Sequence, residues 1–134
     1  MKNSIIAAIV ASSALAGAAF AQEAAPAAPP APNMEETYAS ARNQLGVLEY
    51  CQQAGYVGDE PISVQNRMLE LIPAPGDTSA ADAAYEKGKA GTVSAMGTEQ
   101  SLADVATAQS SSEEALCKQI GELVAQAGSQ LPPG

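Results

Sequence analysis

The chain has two cysteines, Cys51 and Cys117, set far apart in a sequence with little else to hold it folded. An even cysteine count in an exported chain points to a disulfide. The bond would close a loop of about 67 residues and contribute roughly 4 kcal/mol by the chain-entropy account. Redox exchange ordinarily uses Cys-x-x-Cys, a pattern this sequence lacks. A zinc site needs more Cys and His ligands than are present, because the chain has no histidine. A structural bridge is the expectation. It matters because, beyond residue 21, Leu, Ile and Val make up only about 15 % of the chain and phenylalanine is absent. Below about 20 %, with high net charge, a chain leans towards disorder. Alanine packs helices closely but buries little area per residue. Such a fold needs a staple, a partner, or both.

Residues 1–21 read as a cleaved signal peptide. Lys2 and the amino terminus supply the positive start, Ile5 to Ala19 the apolar run, and Ala19-Phe20-Ala21 a cleavage site before Gln22. The rival reading is a membrane anchor, since residues 4–22 are uncharged and near the lower limit for spanning. Ser12, Ser13 and the small-residue site favour removal. The expected location is therefore outside the cytoplasm, periplasmic or secreted. Residues 22–33 hold four prolines and read as a disordered Ala/Pro-rich spacer.

Residues 34–131 show helical periodicity and predict an all-α fold, a small bundle of about four to five helices stapled by the disulfide. Helix one is expected over about 34–54, with Asn33 as its cap, Met34, Tyr38, Ala41, Leu45 and Leu48 on one face, and Gly55 at its end. Helix two is expected over about 61–72, started by Pro61, striped by Val64, Met68, Leu71 and Ile72, and stopped by Pro73. Helix three is expected over about 80–96 behind a Ser79/Asp82 capping box. Gly88 and Gly91 lie inside it, and each costs about 1 kcal/mol against alanine. Such glycines persist where another backbone comes close, so Ala84, Gly88, Gly91 and Ala95 mark a helix–helix contact, within the chain or between chains. Helix four is expected over about 99–109, and helix five over about 112–130 behind a Ser111/Glu114 capping box, with Leu116, Ile120, Leu123, Val124 and Ala127 inward. No segment has the β-branched and aromatic run of a strand.

The formal net charge is −9, and no cluster of Lys and Arg exists to displace counterions from a nucleic acid. Without histidine the usual catalytic triads are unavailable. Lys87-Gly88-Lys89-Ala90-Gly91 is a faint echo of a phosphate loop, but it falls in an expected helix. The acidic pairs Glu35-Glu36, Asp59-Glu60 and Glu113-Glu114 stand at helix starts, where the helix dipole favours them. The sequence therefore predicts no enzyme, no metal, no small-molecule cofactor and no nucleic-acid partner. Self-association, a membrane, or an unfolded protein are the partners left open.

Three stretches, Ala41-Arg-Asn-Gln-Leu-Gly-Val-Leu-Glu-Tyr-Cys51, Ala90-Gly-Thr-Val-Ser-Ala-Met-Gly97 and Glu114-Ala-Leu-Cys-Lys118, together resemble a family of small exported alphaproteobacterial proteins described as pore-forming and ESAT-like (early secretory antigenic target). The resemblance implies a secreted helical protein that oligomerises and permeabilises membranes. The chain departs from the mycobacterial ESAT pattern: it has no Trp-x-Gly turn, and it has a signal peptide and a cysteine pair. The segment most compatible with a pore is 90–98, uncharged and rich in Gly and Ala, which would have to join helices three and four into one longer element and oligomerise through small residues. A competing expectation is a periplasmic binding or acid-stress chaperone module, loosely similar in architecture to Hde-type chaperones. A third is a structural envelope protein on a disordered tether.

Overall fold

A computed structural model describes residues 33–95 and 97–133. The expected signal peptide (1–21) and the expected spacer up to residue 32 lie outside the described residues.

Asn33 caps α1 (Met34–Gln53), its side chain accepting a hydrogen bond from the Glu35 amide, while Glu35 and Glu36 sit at the positive end of the dipole. The helix stops at Ala54, and Gly55 takes the left-handed conformation (φ +80°) that only glycine adopts freely. α2 (Glu60–Leu71) carries Pro61 in its first turn. Its fully buried residues are Pro61 and Gln65; of the expected stripe Val64, Met68 and Ile72 are half-buried and Leu71 is 59 % exposed. Gln65 is buried because its amide donates to the Ala41 carbonyl of α1 at 2.9 Å.

The fold is mostly helical, but it is not all-α. α3 spans Ser79–Lys89 and ends well short of residue 96. Gly91 (φ +83°) lies just beyond its cap, Ala90, and turns the chain into β1 (Thr92–Ala95). β1 pairs antiparallel with β2 (Thr98–Ser101), in the register Thr92↔Ser101, Val93↔Gln100, Ser94↔Glu99 and Ala95↔Thr98. Gly97 (φ +75°) serves the reversal. The expected fourth helix is correspondingly shortened to α4 (Leu102–Ala108), capped by the Ser101 hydroxyl on the Asp104 amide. α5 (Glu113–Gly128) is capped by Ser112, bonded to the Ala115 amide, one residue later than the expected Ser111/Glu114 box. α3 likewise differs from its expected box: Ser79 is its first residue, and Asp77 receives the Ser79 amide.

Two contacts set the architecture. α1 and α3 cross at Gly46 and Gly88. A Cβ on Gly88 would fall on the Asn43 carbonyl oxygen, 2.8 Å from the Val47 nitrogen and 3.0 Å from the Gly46 Cα. Nothing larger than hydrogen fits between these backbones. On the other side Gly121 lies beside Val57 and Pro61, and Gly128 beside Val64. The contacts advance together along both helices, so α2 and α5 run side by side in one direction. The Cys51–Cys117 disulfide, with Cα atoms 5.5 Å apart, joins the end of α1 to the start of α5. Around it Val47, Leu102, Ala106 and Leu116 form the buried centre, with Tyr50, Tyr56, Val57, Val93, Val105 and Ile120 packed against them. Among the described residues no helix is long and apolar enough to cross a membrane.

Candidate functional site

Asn43, buried on α1, organises the region between the helices and the hairpin. Its amide nitrogen donates to the Ala84 carbonyl of α3 at 2.7 Å and to the Thr92 carbonyl of β1 at 3.0 Å. Its amide oxygen accepts the Ser94 amide at 2.8 Å. One side chain thus satisfies a donor and an acceptor on one edge of β1, as a neighbouring strand would. The Gly46–Gly88 approach brings Asn43 within reach of both partners at once.

Paired residues on an antiparallel hairpin share a face. Val93 and Ala95 therefore lie on the same face as their partners Gln100 and Thr98. That face covers a groove of about 340 Å³, floored by Leu102 and Val105 of α4 and walled by Leu116 and Ile120 of α5. A second hollow of about 230 Å³ opens on the α1 side of Val93 and Ile120 and reaches Ser40, Gln44 and Val47. Among the described residues no titratable side chain lines either space. The polar groups of the larger groove are neutral, chiefly the amides of Gln100, Gln109 and Gln119. The arrangement presents apolar surface beside amides able to donate and accept hydrogen bonds. Along α5 the same face, Leu116, Ile120 and Leu123 at steps of four and three, passes from buried to half-buried to 58 % exposed.

Two tyrosines tie the frame together. Tyr85 donates to Glu49 at 2.7 Å, and that bond, with burial and the adjacent carboxylate charge, raises its pKa to about 12. Arg42 and Lys89 lie over the same ring, 4.5 and 5.0 Å from its centre. Tyr50 donates to Glu113 at 3.1 Å, and that bond is the main cause of its raised pKa. Every lysine and arginine among the described residues is engaged within the chain: Arg42 with Asp82, Lys87 with Glu99, Lys89 with Glu86, Lys118 with Glu114, and Arg67 with the Pro132 carbonyl. The unbalanced charge on this surface is therefore negative.

The residues singled out in the sequence take separate places. Cys51 and Cys117 are bonded, fully buried beneath the groove. Ala84 and Gly88 face α1 within the same chain. Gly91 lies outside the helix, where a Cβ would meet the Tyr50 ring at 3.0 Å. Ala95 is on β1 and lines the groove. The four are therefore not one helical stripe: the helix ends before the last two. Asn43, Val93 and the three glutamines were not anticipated. Asn43 finds its strand partners 49 and 51 residues away, so no local pattern announces it. Among the described residues no group of three or more Cys, His, Asp or Glu is placed to hold a metal ion.

Compared with known protein families, curated proteins and solved structures, the chain matches none. The fold and groove define the working class: a disulfide-stapled, mostly helical protein with an apolar groove roofed by a β-hairpin.

Proposed function

We propose that this is an exported, non-enzymatic binding protein that takes an apolar group of its partner into the groove between the hairpin, α4 and α5. The supporting observation is the lining: Val93, Leu102, Val105, Leu116 and Ile120 surround about 340 Å³ of accessible space without a titratable side chain. This takes up the binding or chaperone-like reading of the sequence, with the groove as the proposed site. The resemblance to ESAT-like proteins supports a different reading, a pore. Two features weigh against that choice. Ala84 and Gly88, two of the four small residues expected at a helix–helix contact, are used against α1 of the same chain. Segment 92–101 is a hairpin held by Asn43, which would have to be dismantled to join α3 to α4.

The test is a titration of the oxidised protein with Nile red, a neutral apolar dye, alongside dye release from anionic and neutral vesicles. Saturable fluorescence that is lost in Ile120→Gln, with vesicles intact, is the expected result. Size-selective leakage that is unchanged in Ile120→Gln would replace this reading with the pore.

A further inference from the structure

We infer that the partner is an extended polypeptide of alternating apolar and basic residues, added as a third strand along the free edge of β2; this rests on the groove being the binding site. Asn43 fixes the phase of the hairpin. Because it bonds the Thr92 carbonyl and the Ser94 amide, those groups point away from β2. In an antiparallel pair the partners of outward-pointing residues also point outward. The partner of Ser94 is Glu99, and that of Thr92 is Ser101. The Glu99 N–H and C=O therefore face away from β1. No backbone hydrogen bond outside the hairpin engages Glu99 among the described residues, and the residue is exposed. The β1 edge is occupied by a side chain from α1, whereas among the described residues nothing pairs with the β2 edge.

An added strand continues the pleat, so its alternate side chains fall on the face of Thr98 and Gln100, towards the groove. Apolar residues suit those positions. The intervening side chains fall on the Glu99 face. On that face Glu99 is paired with Lys87, the other ion-paired cations are engaged elsewhere, and exposed Asp104, just after the strand, has no ion-pair partner among the described residues. The remaining acidic surplus, within a formal net charge of −9, favours Lys or Arg at the intervening positions. A second copy of this chain fits poorly, because antiparallel edge-to-edge pairing about Glu99 would bring that carboxylate towards its own counterpart.

The probe is a fluorescently labelled eight-residue peptide of alternating Val and Lys with blocked ends, read by anisotropy against the oxidised protein. Glu99→Pro removes the outward N–H and leaves the inward-facing bonds of β2 in place. It is expected to weaken the peptide about tenfold, with Nile red binding unchanged. Glu99→Gln, which keeps the backbone donor, costs about threefold or less. N-methylating alternate peptide amides, which leaves the protein untouched, produces the same loss as Glu99→Pro. Replacing the peptide lysines with glutamates abolishes binding. Equal binding of the plain and N-methylated peptides would overturn the third strand, as would dye binding without peptide binding, and in both cases the groove would stand. Failure of the wild-type protein to bind either probe would overturn the groove as well.

Discussion

Gly88→Ala tests the geometry on which everything else in the fold depends. By intrinsic propensity the change should help, since alanine is favoured over glycine in a helix by about 1 kcal/mol. At this crossing the new methyl would land on the Asn43 carbonyl oxygen and 2.8 Å from the Val47 nitrogen. Both are backbone atoms of α1 and cannot swing aside, so the helices must separate. Overpacking of this kind costs about 1–3 kcal/mol, and the clash with two backbone groups places it at the upper end. The net expectation is a destabilisation of about 2 kcal/mol. For a domain of this size that corresponds to a fall in Tm of roughly 8–16 °C. Thermal and urea denaturation of the oxidised protein, followed by far-ultraviolet circular dichroism, measure it. Gly76→Ala is the control, because a Cβ there meets nothing within 4 Å. It should be neutral or stabilise by up to about 1 kcal/mol. Gly46→Ala should resemble Gly88→Ala, and the double variant should cost less than the sum, since the first change already opens the crossing. A Gly88→Ala protein that melts at or above the wild-type temperature would refute the close approach.

Three further outcomes follow from the same contacts. Reduction of Cys51–Cys117, or Cys51→Ser with Cys117→Ser, should cost about 4 kcal/mol; because both cysteines are fully buried, reductant should act slowly until mild denaturant opens the fold, as thiol labelling would show. Asn43→Ala should lose about 2–4 kcal/mol, because the Ala84 and Thr92 carbonyls and the Ser94 amide lose their partner together, and amide exchange at Ser94 should accelerate most. Tyr85, with its pKa raised from 10.0 to about 12, binds its proton more tightly when folded; its contribution is complete below pH 10 and is lost as pH rises through about 12, so Tyr85→Phe should flatten the alkaline limb of the stability profile.

Much of the scaffold was legible because its signals are local. Asn33 and Gly55 bracket α1 as capping residues do, Pro61 opens α2, and the cysteine pair identified its own bond. The hairpin was not legible. Each strand is four residues long, with burial too even to show alternation, and β1 is completed by an asparagine about fifty residues earlier rather than by a sequence pattern. The spacing places Gly91 inside a helix as a close-packing glycine, whereas its positive φ turns the chain just beyond the helix cap, Ala90. The sequence marks Gly88 for a helix contact but does not single out its counterpart Gly46, which carries the same propensity cost in the middle of α1. On α2 the apolar spacing named Leu71, whereas the buried position belongs to Gln65, whose amide meets a carbonyl that periodicity cannot see. The groove inherits these omissions: its α4 and α5 walls follow from helical stripes, but its roof is the hairpin.

The most direct test of the binding groove is an amide chemical-shift map of the oxidised, isotope-labelled protein titrated with Nile red. Saturable shifts confined to Val93, Ala95, Gln100, Val105, Gln119 and Ile120, with α2 and the outer face of α3 unchanged, are the expected result. Shifts that fail to saturate, or that centre on α2 and α3, would contradict it.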